Sequence, residues 1–309
     1  MSLHVFANFV TPFGTAANNR AETEGNITTL QKLLWMGETH STVSAEAIRF
    51  ALRRRLAAEE TNGTNRRWEE EARNNTWADP QFNGWSSTNG PTYIDDDLLG
   101  FMTAEAAKEE GEAGSANVRR AVLEVTRAVS LTPWPGDVTF NAASPGATPS
   151  AQKKGTNPVP YGTEVHATRY QYGIALTPER LRDKSRAAKA INALCHLGTV
   201  AGNHGRFLFD FSPDSVVFRI TDDPAPRFLY CFMTPNDGKD IDAPLLIDRV
   251  ESGDIDPKEL ILGGLLAKTE TGKRLQEKGA FLGVNGQNGV KGAAAEAIRR
   301  INQRLGITE

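Results

Sequence analysis

The first apolar cluster is LHVFANFV (3–10), mostly apolar with some alternation, which predicts a buried strand. The polar stretch GTAANNRAETEGN (14–26) then predicts a loop. From Ser44 the period becomes helical. Ile48, Ala51, Leu52 and Leu56 form an apolar stripe, Ser44 is placed as N-cap and Glu46 lies in the first turn. This helix carries Arg49, Arg53, Arg54 and Arg55. Arg49 and Arg53, four apart, share one flank of the stripe, Arg54 lies well round the helix, and Arg55 sits over the stripe and is expected to snorkel. After residue 60, TNGTNRRWEEEARNNTWADPQFNGWSSTNGP is rich in Asn and Gly and holds three of the five Trp, which predicts a surface insertion with isolated aromatics. YIDDDLLGFM leads into an acidic, helix-like run, TAEAAKEEGEAG, and ANVRRAVLEVTRAVSL is a second amphipathic stretch.

VTFNAA and EVHATRYQYGIAL read as strands joined by a Gly/Pro/Ser/Lys-rich loop, so residues 138–176 predict a long hairpin with a basic tip. Thr177-Pro178 opens a helix that breaks near Asp183–Ser185 and resumes with Ala187, Ala188, Ile191, Leu194, Cys195 and Gly198 on one stripe, ending in AGNHG (201–205). RFLFDF, VVFRI and RFLYCF (227–232) predict further strands, and the tail predicts helices around 258–267 and from about Ala293 to Leu305. The order is strand–helix, then strand–helix–strand–strand, split by a large insertion. It is compatible with an α+β, RRM-like (ferredoxin-like) core.

With 309 residues, 39% of them hydrophobic, the chain can bury a sizeable core in one or two domains. Its formal net charge of −3 means that any polyanion role must use a local patch. Cys195 and Cys231 sit in apolar contexts and predict buried free thiols in a reducing compartment. MSLHVFANFV lacks a basic leader region and no apolar run reaches membrane length, so a cytoplasmic protein without membrane partners is expected. No pair among the five His has metal-ligand spacing, and CxxC and G-x-S-x-G are absent. GVNGQNGVKG (283–292) fails as a phosphate loop because Lys291 is followed by glycine. Asp95, Asp96 and Asp97 either bind a divalent cation or serve as helix-capping, solvated acids. Neither catalytic residues nor a cofactor or metal are predicted.

Binding signals are stronger. The loop GNHGR (202–206) offers Gly amides, Asn203, His204 and Arg206 at a helix-to-strand junction, as a C-cap, a phosphate-backbone contact, or both. Tyr170 and Tyr172 share a strand face with His166, either to stack on bases or to pack the core. Lys153 and Lys154 are either a solvated hairpin tip or a nucleic-acid contact. Arg49 and Arg53 are open to the same two readings.

Four pieces in order carry a resemblance: LHVFANF…NNRAE, then QKLLWMG…STVSAEAIRFALRRRL with its SxxxIRxxLR core, then YIDDDLLGFM, then AGNHGRFLFDFSP. Over roughly 1–232 the chain resembles the Cas seven family, DevR-type members of the RAMP superfamily, with subtype I-B as the candidate subtype. The resemblance implies a non-catalytic backbone subunit of a type I CRISPR surveillance (Cascade) complex in antiviral defence. It implies an RRM-like palm (1–60 plus 164–240), a fingers insertion (61–137), a thumb hairpin (138–176) and a C-terminal helical extension (241–309). The implied partners are CRISPR RNA, the target DNA strand paired to it, further copies of the chain in a helical filament, and Cas five, Cas six and Cas eight type subunits. Carried over by position, Asn19, Arg20, Lys32, Ser44, Arg49, Arg53, Asn203, His204 and Arg206 line the RNA groove. A metal-dependent ribonuclease using Asp95–Asp97, or an RRM-like RNA-binding module outside CRISPR, are the alternatives.

Overall fold

The computed structural model describes residues 2–17, 23–88, 90–105, 115–146, 157–200, 209–283 and 287–307. In chain order its strands are β1 (His4–Val10), β2 (Gly14–Ala17), β3 (Thr23–Glu24), β4 (Ile27–Thr28), β5 (Lys32–Trp35), β6 (Glu38–Val43), β7 (Arg66–Glu69), β8 (Asn74–Trp77), β9 (Phe101–Glu105), β10 (Ser115–Arg119), β11 (Leu123–Val125), β12 (Ala128–Ser130), β13 (Val138–Ala143), β14 (Val159–Thr168), β15 (Tyr170–Leu176), β16 (Ser215–Thr221), β17 (Leu260–Gly264) and β18 (Phe281–Leu282). The α-helices are α1 (Ala45–Leu56), α2 (Ile94–Leu99), α3 (Arg186–Cys195), α4 (Pro244–Glu251), α5 (Glu270–Glu277) and α6 (Val290–Leu305).

β1 forms where the apolar run predicts it and lies at the centre of a sheet ordered β18-β17-β16-β1-β15-β12-β6-β5, with β11 also paired to β15. Its two neighbours run antiparallel to it and set Phe9 opposite Tyr172 on one side and Val216 on the other. Val5, Ala7 and Phe9 enter one apolar cluster with the inner faces of α1, α2, α3 and α6. Phe6 and Val10 enter a second cluster with Phe228, Cys231, Phe232 and the apolar sides of α4 and α5. Both faces of the sheet are thus covered, which is why β1 reads as a nearly continuous apolar run. Cys195 and Cys231 are buried free thiols, as their contexts predict.

The α1 stripe is Ile48, Ala51, Leu52 and Leu56, all buried. A hairpin does form from Val138, with β13 paired antiparallel to β14 from Val138↔Glu164 to Ala143↔Val159, but residues 159–163 of its second strand come from the stretch expected as loop, and β15 belongs to the central sheet beside β1. Residues 147–156 of its expected basic tip, with Lys153 and Lys154, lie outside the described residues.

Several expectations are overturned. The stretch expected as a loop at 14–26 contains β2, which pairs with β14, and the short β3–β4 pair beside it. TAE (103–105), expected to be helix-like, belongs to β9, and 116–131, read only as an amphipathic stretch, supplies most of β10 together with β11 and β12. Val118, Val122, Val125 and Val129 favour extended backbone, and pairing of β11 and β12 with β15 decides the outcome. The first helix turns after Thr177 are 3-10, and α3 ends at Cys195, short of the expected end; residues 201–208 lie outside the described set. Phe209–Phe211 and 227–232 are not strands. In the latter, Arg227 and Tyr230 adopt positive φ (62° and 56°), and the turn sets Phe228, Cys231 and Phe232 into the second core cluster. Around 258–267 the expected helix is β17, its Leu260, Ile261 and Leu262 fully buried between layers. Gly264 closes β17 at φ +84°, and a Cβ there would stand 2.0 Å from the Asp214 carbonyl oxygen.

Candidate nucleic-acid interface

α1 supplies most of the expected site within the described residues. The Ser44 hydroxyl accepts the Ala47 N–H at 3.2 Å, a conventional N-cap. Arg49 and Arg53 do share one flank, and that flank carries α2. Arg49 donates to the Leu99 carbonyl at 2.7 Å, and Arg53 Nε donates to Asp95 at 3.1 Å. Burial, then the like charge of Arg53, pulls the Arg49 pKa down. Arg54 is exposed and faces Glu70 at 3.5 Å, while Arg55 is exposed without a described ion-pair partner.

Arg53 also lines an open cleft of about 280 Å³ between α1 and the β7–β8 hairpin. Arg54, Arg66, Arg67, Phe50 and Trp68 line it too, against one carboxylate, Glu70. Phe50 and Trp68 meet edge to face at 5.9 Å. Guanidinium groups beside aromatic rings in an open groove are a chemistry that suits phosphates and unstacked bases.

Lys32 opens β5. Its Nζ donates to both Glu164 oxygens at 2.7 and 2.6 Å and sits 4.1 Å over the Trp134 ring, fastening β5 to the base of the hairpin. Asn19, Arg20, Lys153, Lys154, Asn203, His204 and Arg206 lie outside the described residues. Tyr170 and Tyr172 take the core-packing alternative. Tyr172 stacks with Phe9 at 5.1 Å, and the Tyr170 hydroxyl lies 2.7 Å from Ser41 Oγ, with burial pushing its pKa up to about 12. His166 shares this network, its Nδ1 2.6 Å from Ser41 Oγ, and burial lowers its pKa to about 4.

The three aspartates follow neither reading open from the sequence: all are buried and used as acceptors. Asp95 accepts from Arg53 and from the Asn65 and Arg66 amides. Asp96 accepts from the Asn65 side chain at 2.9 Å; burial, then the neighbouring charge of Asp95, raises its pKa to about 7. Asp97 accepts from Arg119 at 2.5 Å, Arg186 at 3.0 Å and the amides of Arg182 and Asp183. Among the described residues no three His, Cys, Asp or Glu side chains converge as a metal site.

A second basic surface was not foreseen. Arg119 and Arg182 stand 4.2 and 4.3 Å from the Trp85 ring, and Arg120 and Arg180 flank it. The RR doublet at 119–120 and the arginines at 180 and 182 are about sixty positions apart, so only the fold brings them together. The aromatics of the insertion are likewise not isolated, since Phe82 stacks on Phe101 at 3.8 Å and meets Trp77 at 5.8 Å.

No helix among the described residues is long and apolar enough to cross a membrane. Two chains from solved structures titled CRISPR RNA-guided surveillance complex share the fold, each at a TM-score of 0.52. One, titled pre-nicking, is 12% identical and covers 87% of this chain and 94% of its own; the other is 15% identical and covers 94% and 99%. A protein of Myxococcus xanthus (strain DK1622), CRISPR-associated protein Cas7/Cst2/DevR, is 61% identical over 305 residues, covering 98% of this chain and 99% of the relative. The family model CRISPR-associated negative auto-regulator DevR/Csa2 matches residues 11–197. The chain belongs to the DevR/Csa2 family of CRISPR-associated proteins.

Proposed function

We propose that this protein is a non-catalytic guide-RNA-binding subunit that repeats along a CRISPR RNA as the backbone of a type I surveillance complex. The observation that carries the reading is the fold shared with chains of RNA-guided surveillance complexes over 87–94% of this chain. The strand order β16-β1-β15-β11/β12, antiparallel throughout, with α1 and α3 packed on one face, supports an RRM-like palm. The β13–β14 hairpin then serves as thumb and the β7–β10 region as fingers, and copies stack head to tail in an open, non-closing array. The other sheet face is buried under the second core cluster, so RNA must run along the edges and loops of the palm and not across its sheet.

A holder of any guide must grip phosphate and sugar and leave base edges free for the target DNA strand. The cleft beside Arg53 has that character, and Lys32, Ser44 and Arg49, with Asn19, Arg20, Lys153, Lys154, Asn203, His204 and Arg206, complete the proposed contact set. Other Cascade subunits cap the array in the cytoplasm, in an antiviral role.

Co-expression with a guide and partner subunits should yield a large particle carrying RNA. A nucleic-acid-free monomer under those conditions overturns the reading. Arg53→Ala or Lys32→Ala should flatten the salt dependence of RNA binding by about 0.7 in log–log slope per lost contact. An unchanged slope removes that residue from the site.

A further inference from the structure

We infer that the surface around Trp85 is a second nucleic-acid site, separate from the guide residues, that binds phosphodiester backbone without reading bases. Two shallow clefts of about 410 and 530 Å³ share Trp85, Arg119 and Arg180, so they form one continuous surface. Arg120 joins one cleft and Arg182 the other, and among the described residues no carboxylate lines either. In a chain of net charge −3, four arginines with no lining acid among the described residues form a local anion attractor.

The geometry indicates which part of a nucleic acid is held. Arg119 and Arg182 stand 4.2 and 4.3 Å from the Trp85 ring, and Phe101 meets it at 5.9 Å. Two guanidinium groups thus crowd the one indole. The indole's contacts are with cations, which it orients, and the groups it presents to a ligand are their N–H donors. Arg182 is fixed further by donating to the Gly84 and Ser87 carbonyls, and Arg119 by Asp97 beneath it. Arg120 and Arg180 are exposed and make no ion pair with a described residue, so their charges remain for a ligand. Arg is suited to phosphate through its fork of donors.

The site is also distinct in position. Asp95 and Asp97 are two residues apart on α2, about 200° round its axis, so they face opposite ways. Asp95 holds Arg53 of α1, and Asp97 holds Arg119 on the Trp85 side. The short helix therefore stands between this surface and the guide-side arginines. The inference rests on the guide-binding reading: that reading fails if the chain retains no RNA, whereas the inference fails if DNA binding is unaltered in the variants below.

The test uses the purified full chain, its retained RNA quantified, with Arg120→Glu/Arg180→Glu and, as a milder second variant, Arg120→Gln/Arg180→Gln. Binding of non-complementary 30-mer DNA, duplex and single-stranded, is measured against salt. The expected result is a loss on the order of tenfold or more at 0.1 M salt, independent of sequence. The log–log slope should flatten by about 1.8 on duplex or about 1.4 on single strands for two lost contacts, and the arm that responds identifies the strand form bound. RNA content and thermal stability should be unchanged. Unaltered DNA affinity and slope in both variants overturn the inference. So does a parallel loss of retained RNA, which would assign the surface to the guide's path.

Discussion

Asp97→Ala removes one carboxylate that four donors share, and its cost can be worked from the contacts. The side chain is fully buried, and Arg186, which donates to it at 3.0 Å, is 6% exposed. Arg186 keeps Glu60 at 2.9 Å, so its charge is not left unpaired. Arg119 loses its only described ion pair, and the amides of Arg182 and Asp183 lose their acceptor. Breaking a buried ion pair from one side costs about 3–5 kcal/mol, and an unsatisfied buried donor about 1–3 kcal/mol. These terms overlap, because alanine leaves room for water, so the net expectation is about 3–5 kcal/mol. At an unfolding entropy of about 2 cal/mol/K per residue the chain changes by roughly 0.6 kcal/mol/K, giving a Tm fall of about 5–8 °C. Arg54→Ala is the control, since its pair with Glu70 is exposed and contributes about 0–1 kcal/mol. A calorimetric melt in which Asp97→Ala falls no further than Arg54→Ala would refute the account of Asp97 as the buried carboxylate that ties α2 to α3 and β10.

Asp96 makes stability depend on pH. Its pKa is raised to about 7 from an ordinary 3.8, so between these values the folded state holds a proton that the unfolded state releases, and stability falls as pH rises through the window. His166 works the other way: lowered to about 4 from 6.5, it loses stability as pH falls below 6.5. The measurement is therefore a difference, in which the Tm of Asp96→Asn minus that of wild type should rise from pH 4 to pH 7; a flat difference removes Asp96 as the source. Burial pushes the thiol pKa of Cys195 up to about 12 and that of Cys231 higher still. Neither should react with iodoacetamide in the native protein, while both should in urea, and rapid native labelling read by mass spectrometry would contradict their burial.

The elements legible in the sequence were those whose pattern is local. The α1 stripe and cap, the strand at 4–10 and the first hairpin strand at 138–143 all follow from period and turn chemistry within one segment. The misread segments take their state from distant partners. Residues 116–131 contain arginines and alanines that suit a helix, yet β11 and β12 complete hydrogen bonds on β15, some fifty residues later. LILGGLL fits a helix turn as well as a strand until its position beside β16 is known. The turn at 227–232 is apolar enough to read as a strand, but its core residues are Phe228, Cys231 and Phe232, a spacing that goes with the positive φ at Arg227 and Tyr230 and not with strand alternation. For the candidate site, helical spacing placed Arg49 and Arg53 together, but it could not show that α2 would lie against them.

The run Asp95-Asp96-Asp97 explains why composition was a poor guide to the charged surface. Three consecutive acids count towards a negative total, yet none reaches solvent. Within one turn of α2 the carboxylates point at different neighbours: Asp95 at α1, Asp97 at α3 and at Arg119 of β10. An arginine clamped this way is held by part of its donor fork, and its remaining N–H groups stay directed by the packing around it. Arg119 illustrates this, with one nitrogen on Asp97 and its guanidinium against Trp85. The acids thus fix the positions of arginines from beneath, while Arg120 and Arg180 meet no described acid from above. A chain with more acids than bases can therefore present basic surface, because surface charge follows where the carboxylates are buried and not how many there are.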